Sequence, residues 1–225
     1  MTHPPVRQRV EPGQLPRHRH PEPYVAVVLA GSYEEAGDSG RRRLGPGDVV
    51  VHMAWEAHLN RTPGSGAQVL NLPPPPGQLS PFGRVRDLTG LLRAAERTPA
   101  EAAERLQAEF QPAPHRLADW PDLLAAALAE GDRQSLASWA ERLGLSPERV
   151  SRGFGQAFGV TPQRFRWEAR NRAALSDLAA GSAPLAELAV AHGFADQAHL
   201  TRCIRAFTGR TPGVWRRSNP FKTDR

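Results

Sequence analysis

The stretch LASWAERLGLSPERVSRGFGQAFGVTPQRFRW (136–167) returns, altered, as LAELAVAHGFADQAHLTRCIRAFTGRTPGVWRR (185–217). Leu136, Ala137, Ala140 and Gly144 match Leu185, Ala186, Ala189 and Gly193 at an offset of 49. Arg152, Gly159, Thr161 and Pro162 match Arg202, Gly209, Thr211 and Pro212 at an offset of 50. The extra residue falls just after the Gly, where a turn absorbs it. A period of this size marks one supersecondary unit made twice.

Each copy reads as helix, tight turn, helix. The first helix (135–143, and 184–192) is short with one apolar face. Gly144 and Gly193 end it, because the turn calls for positive φ. Ser146 then caps a new helix with Pro147 at its first position, and Asp196 caps the second copy. In the helix-turn-helix plan the second helix lies in the DNA major groove. On 147–158, Val150, Phe154 and Phe158 recur at helical spacing and face inward. Glu148, Arg149, Ser151, Arg152 and Gln156 are left outward. On 197–207, Leu200, Ile204 and Phe207 turn inward. Gln197, Ala198, His199, Thr201, Arg202 and Arg205 are left outward. Arg reads guanine and Gln reads adenine through paired hydrogen bonds. Gly153, inside the first reading helix, costs that helix about 1 kcal/mol. Residues 162–180, with Arg164, Arg166, Arg170 and Arg172, join the copies. As one helix they span roughly 28 Å, close to the one-turn spacing of two major-groove readers, about 34 Å.

Charge supports this reading. Residues 1–115 carry 13 basic and 12 acidic side chains, whereas 116–225 carry 16 and 11. The excess is confined to the half with the repeat, which suits a polyanionic partner there. All basic residues but Lys222 are Arg, the side chain suited to bidentate phosphate and guanine contacts. A single cysteine, Cys203, excludes an intramolecular disulfide framework and Cys-rich zinc modules. It reads as a small buried apolar contact. No apolar run approaches the roughly 18 residues of a membrane span. The start of the chain lacks the apolar core of a secretory signal. A cytoplasmic location without membrane contact is expected.

The motifs GLSPERVSRGF (144–154), AHGFADQAHLTR (191–202) and GRTPGVWRR (209–217) resemble the DNA-binding domain of AraC/XylS-type transcriptional regulators, over about 100 residues (120–217). The resemblance implies two helix-turn-helix motifs on promoter DNA. It places Glu148, Ser151 and Arg152, and Gln197, Ala198, Thr201 and Arg202, at base-reading positions. Leu200 and Ile204 stand where the family usually has Phe. RNA polymerase and a second copy of the chain are the further partners it suggests.

Residues 8–72 read as strands and turns. YVAVVLAG (24–31), GDVVVHM (47–53) and AQVLNL (67–72) are β-branched apolar runs separated by Gly- and Asp-rich turns. Short strands so separated indicate an antiparallel sandwich or barrel. Arg41, Arg42 and Arg43 are placed at a solvated hairpin tip. LPPPPGQLSPFG (72–83) breaks the pattern as a stiff spacer. Beyond it, 87–97 and 99–110 have helical periodicity.

His18 and His20 share one face of a strand and can reach one metal ion together. GQLPRHRHPEPYVAVVLAG (13–31) and PGDVVVHMAWEAHLN (46–60) resemble the two-part signature of cupin barrels, which often form the sensing half of AraC-type proteins. That resemblance puts His18, His20 and His58 on three ligand positions and Tyr24 where a Glu ligand would stand. His52 has the parity of His58 and is a candidate replacement. Tyr24 and Trp55 are candidates to line an effector pocket. Two occupants stay open: an organic ligand, or a divalent ion (Zn, Fe or Ni) held by imidazoles. His3, His115 and His192 read as ordinary surface or core histidines.

The expectation is an α+β chain of two domains. An N-terminal antiparallel β-barrel, cupin-like, covers 1–80. A helical linker with a dimerising role covers 81–116, and an all-α domain with two helix-turn-helix motifs covers 117–219. The expected function is a transcriptional regulator that senses a small molecule or metal ion. The alternative is a metal-dependent cupin enzyme of dioxygenase or isomerase type, against which the missing carboxylate ligand counts. A ligand-blind architectural DNA binder is the third reading.

Overall fold

The computed structural model describes residues 6–114, 119–181 and 183–217. His3, His115 and Lys222 lie outside the described residues. The strands are β1 (Arg7–Val10), β2 (Gly13–Arg19), β3 (Tyr24–Gly31), β4 (Tyr33–Gly37), β5 (Gly40–Leu44), β6 (Asp48–His52), β7 (Ala57–Thr62), β8 (Ala67–Leu72), β9 (Phe82–Val85) and β10 (Phe110–Pro112). The helices are α1 (Leu88–Arg97), α2 (Pro99–Glu109), α3 (Trp120–Ala129), α4 (Leu136–Leu143), α5 (Pro147–Phe158), α6 (Pro162–Ala180), α7 (Leu185–Ala191), α8 (Gln197–Thr208) and α9 (Pro212–Arg217). None is long and apolar enough to cross a membrane.

The chain divides into two compact units: 1–126 with 134–161, and 127–133 with 162–225. In the first, the strands form two antiparallel sheets, β1-β8-β3-β6-β9-β10 and β2-β7-β4-β5. Alternation drives them together. Tyr24, Ala26 and Val28 of β3 point to one core shared with Tyr33 and Leu44 of the smaller sheet. Val25 and Val27 point the other way, into a second core with Leu91, Ala102 and Leu106 of α1 and α2. A strand buried on both faces reads as a continuous apolar run, and YVAVVLAG is one.

The expected barrel is corrected to two open sheets: among the described residues no strand pair joins one sheet to the other. Where the chain passes between sheets it carries Pro12, then Pro21 and Pro23. Proline has no backbone donor, so the ladder stops there instead of wrapping around. The segment 81–116 is likewise more than a helical linker. It returns to the larger sheet as β9 and β10, with Phe110 opposite Val85, and α1 and α2 fold onto that sheet's face.

Arg41, Arg42 and Arg43 are not a solvated tip. They form β5, paired with Ala36, Glu35 and Glu34, and the turn is Asp38–Ser39. The Arg41 guanidinium donates to Asp122 at 3.0 Å and to Asp119, which ties α3 to this strand. Arg42 lies over the Phe82 ring, 3.2 Å from its centroid.

The first unit ends with α4 and α5. α4 closes on Gly144 at φ 64°, in the left-handed region. Ser146 accepts from the Arg149 backbone N–H and Pro147 opens α5. Trp139, Val150, Phe154 and Phe158 are buried, with the two Phe rings stacked at 4.7 Å. Gly153 has a specific reason to be there: a Cβ on it would stand 2.7 Å from Cζ2 of Trp120. The helix gives up propensity so that α3 can pack against it.

The second unit is built on α6, which spans the 19 residues expected of it. Phe165, Leu175, Leu178, Leu188, Ile204 and Phe207 are buried, and Trp167 meets Phe207 edge-on at 5.6 Å. Gly193, at φ 70°, makes the turn between α7 and α8. Asp196 accepts from the His199 backbone N–H at 2.6 Å to start α8. Cys203 is buried, as read. His192 bonds Asp177 at 2.8 Å.

Candidate functional site

Two sets of side chains carry chemistry. The first is the outer face of the second helix in each repeat copy. On α5, Glu148, Arg149, Arg152 and Gln156 are exposed and Ser151 is half-buried. The Glu148 carboxyl is held below the usual carboxylate range by a hydrogen bond from its own backbone N–H, with Ser146 and the Arg152 charge adding. On α8, Gln197, Ala198, Arg202 and Arg205 are exposed. Thr201 is half-buried and its hydroxyl donates to the Gln197 carbonyl at 2.9 Å. His199 differs from the rest. Its Nδ1 accepts from the Ala195 backbone N–H at 3.2 Å, and its ring stands edge-on to Phe194 at 5.5 Å. It braces the turn from within and is only half-exposed. Arg170 braces the same turn, donating to the Gly193 carbonyl at 3.3 Å with its guanidinium over Phe194.

The second set lies between the two sheets. A cavity of about 220 Å³ is lined by His18, His20, Tyr24, Tyr33, Glu35, His52, His58, Asn60, Gln8 and Asn71, with Val10, Leu15, Ala26 and Val69. Strand register assembles it: His18 of β2 faces His58 of β7, and Tyr24 of β3 faces His52 of β6. The rings meet at 4.4 Å for both pairs His18–His58 and His52–His58, and Tyr24 stacks on His52 at 4.5 Å. Ligand atoms of His18, His20 and His58 gather within 4.8 Å, and so do those of Glu35, His52 and His58.

Burial sets the protonation states. It pushes the His52 imidazole down to about 3 and His58 well below its ordinary value, with neighbouring imidazoles adding. Both are neutral at pH 7, the form that ligates metals. Burial and the nearby Glu56 push the Glu35 carboxyl well up. His18 Nδ1 is 2.9 Å from the Pro16 carbonyl. A carbonyl only accepts, so that nitrogen donates, which leaves Nε2 as the His18 atom open to a ligand. His58 Nδ1 and Asn60 Oδ1 are buried with no hydrogen-bond partner among the described residues.

All four expected histidines therefore meet in one place, and Tyr24 with them. Trp55 does not line the cavity. It has a φ of 64° and its backbone N–H donates to the His20 carbonyl at 2.8 Å, so it shapes the turn beside the site. Glu35 is the residue that sequence reading missed. It brings a carboxyl group from β4, beside His52 at 3.6 Å, in place of the one absent at Tyr24. Its signal was the alternation of Tyr33, Glu35 and Gly37 with Glu34 and Ala36.

Comparison with known proteins bears on the first set. A family described as helix-turn-helix domain matches residues 139–218. No curated protein matches the chain. Among solved structures, the C-terminal domain of AraT, a response regulator from Geobacillus stearothermophilus, is 23% identical. It covers 49% of this chain and 95% of its own, with a TM-score of 0.43. Apo ToxT from Vibrio cholerae is 10% identical over 95% of this chain and 96% of its own, TM-score 0.43. The DMSP lyase DddQ from Ruegeria pomeroyi is 34% identical over 27% of this chain and 32% of its own, TM-score 0.26. The family match falls on α4–α5 and α7–α8, whose caps, glycine turns and exposed faces are those just described. Residues 139–218 of this chain match that helix-turn-helix domain family.

Proposed function

We propose that the protein is a transcriptional regulator that reads promoter DNA with α5 and α8 and senses a small ligand or divalent ion in the cavity between its sheets. The two-sheet module is read as a cupin-like sensor. The observation that carries the proposal is the repeated, capped helix whose outward face is Arg, Gln and Glu while its inward face is buried. Arg202 and Arg152 at matched positions are the first candidates for base contact. RNA polymerase and a second copy belong to the same proposal as partners at the promoter.

The cavity residues fit a metal ion. His18, His20 and His58 would hold it, with His52 and Glu35 next in reach. A tetrahedral ion with bonds of about 2.0–2.1 Å takes nitrogens roughly 3.4 Å apart. Imidazole rotation would have to bring a set now gathered within 4.8 Å to that spacing. His58 Nδ1, buried with no partner, gains one by turning toward an ion. Bound there, an ion would supply positive charge and Lewis acidity in an otherwise neutral pocket. The amide groups of Gln8, Asn60 and Asn71 leave room for a small polar ligand beside it.

The test is a DNA selection on the full chain at fixed salt, repeated with Zn²⁺, Fe²⁺ or Ni²⁺ and with chelator. Two protected elements about ten base pairs apart are expected. Addition of the ion that binds is expected to change the affinity. Indifference to DNA sequence at low ionic strength would overturn the regulator reading. Retained metal response after His18→Ala with His20→Ala would overturn the assignment of ligands.

A further inference from the structure

Strand β7 has two occupied faces. His58 and Asn60 point into the cavity. Leu59 and Arg61, one residue out of phase, point to the opposite side, as a period of two requires. There the Arg61 guanidinium donates to the backbone carbonyl of Ala157 at 3.1 Å and to that of Gln156, and it pairs with Glu34 at 2.9 Å. Both carbonyls belong to the last turn of α5, where C=O groups lack helical partners and the helix dipole is negative. Next to them, Gly159 ends the helix at φ 73°. A Cβ there would lie 2.7 Å from Leu59 Cδ2. Leu59 and Phe158 are fully buried. The back end of α5 is thus seated on the outer face of the smaller sheet, while Glu148, Arg149 and Arg152 at its front end stay exposed. A second hold runs through α3, which Arg41 ties to β5 and which sets Trp120 against Gly153.

We infer that β7 is the mechanical link between the cavity and the first reading helix: His58 and Asn60 register what the cavity holds, and Arg61 with Leu59 passes the displacement to the C-terminal turn of α5. This rests on α5 being a DNA reader and the cavity being the sensor. Arg61 is a positioning residue, since it touches neither DNA nor ligand. The hold engages the end of α5 remote from its reading residues, so it re-aims the helix without covering them. The fork geometry matters as well as the charge, because one planar guanidinium spans two carbonyls and a carboxylate.

Hydrogen exchange of the 154–160 amides in the full chain tests the link without needing the natural ligand. Arg61→Ala should raise exchange there by about tenfold while β3 and β8 keep their protection. Arg61→Lys should restore only part of it. The cavity is then disturbed in two independent ways, by His58→Ala and by Zn²⁺ added to the unaltered chain. Each should shift 154–160 exchange at least threefold in the parent and leave Arg61→Ala unmoved. A shift of the same size with and without Arg61, or no shift from either disturbance, would overturn the link. Failure of the regulator reading shows separately, as loss of sequence-specific DNA binding by the parent, and does not alter the exchange outcome.

Discussion

The two repeat copies start from the same plan and are supported differently. In the first, α5 is held from outside its own motif: Arg61 and Leu59 at its end, Trp120 against Gly153 at its middle. In the second, the supports are local. Asp196 caps α8, Arg170 of α6 grips the turn, and Trp215 Nε1 donates to Thr208 Oγ1 at 2.9 Å where α8 ends. The compact units divide the copies in the same way, α4–α5 with the sheets and α7–α8 with α6. One copy is therefore held by the two-sheet module, and the other is braced by its own neighbours. Sequence repetition fixes what a helix presents; its neighbours fix what can move it.

The largest effect that tests this contrast is on DNA. Arg202 and Arg152 are both exposed, and Arg152 has the carboxyl of Glu148 one turn earlier on the same helix. Arg202→Ala should weaken the specific site by about 1–3 kcal/mol, roughly five- to 150-fold, if it contacts a base. Arg152→Ala should cost less, because the negative Glu148 one turn away offsets part of its attraction to DNA. Equal weakening of specific and random duplexes by Arg202→Ala would make that residue a phosphate contact. A larger loss at Arg152 would reverse the ranking of the copies.

Stability gives a second handle, and the two glycines of α5 should answer with opposite signs. At Gly153 a methyl meets the Trp120 ring at 2.7 Å, in a half-buried contact that the bulky indole must shift to relieve. Overpacking of this kind costs about 1–3 kcal/mol, which exceeds the roughly 1 kcal/mol gained in helix propensity. At Gly155 the nearest atom is the Val160 carbonyl oxygen at 4.0 Å. There the propensity gain of about 0.5–1 kcal/mol should stand alone. Denaturant melts of Gly153→Ala and Gly155→Ala decide it. Stabilisation by both would mean that Trp120 is not seated on α5.

Acid should separate the units. His52 and His58 have folded values lowered by burial, so their contribution is fully present above about 6.5 and is lost as pH falls, for His52 toward about 3. Glu35 is raised, so between about 6.5 and 4.5 it works against them, being protonated in the folded chain and ionised in the unfolded one. Two imidazoles against one carboxyl leave a net loss of stability as pH falls through that window. Glu35→Gln should steepen the loss. Exchange should show protection falling in the sheets and α4–α5 together, with α7–α8 keeping theirs. Simultaneous loss in α7–α8 would contradict the separation.

Local chemistry was legible in the sequence wherever one signal sufficed. Gly144, Ser146-Pro147, Gly193 and Asp196 fix the bounds of both helix pairs, and the apolar runs at 24–31 and 67–72 fix β3 and β8. The four cavity histidines were legible through strand parity. What escaped depended on pairing across the chain. Arg41–Arg43 look like a charged turn until Ala36, Glu35 and Glu34 are set opposite them and Asp122 is brought beside Arg41. Glu35 enters the cavity only through the register of β4 with β7, where it faces Asn60. The barrel expectation failed because closure depends on ladder bonds at Pro12, Pro21 and Pro23 that proline cannot make. Gly153 read as a defect because Trp120, its reason, is 33 residues away.

The smallest test compares the caps. Ser146 and Asp196 each accept from the backbone N–H three residues on, at 3.3 and 2.6 Å. Replacing either by Ala removes one satisfied donor and costs its helix about 1 kcal/mol. The cost should spread differently. α5 is held at its middle and end, so Ser146→Ala should fray only its first turn and speed exchange at 148–150. α8 depends on its own turn, where His199 and Arg170 converge with Asp196, so Asp196→Ala should speed exchange through 193–202. Equal spread in both helices would show that the outside supports of α5 add no rigidity. That would remove the physical basis for treating the first copy as the one coupled to the sensor.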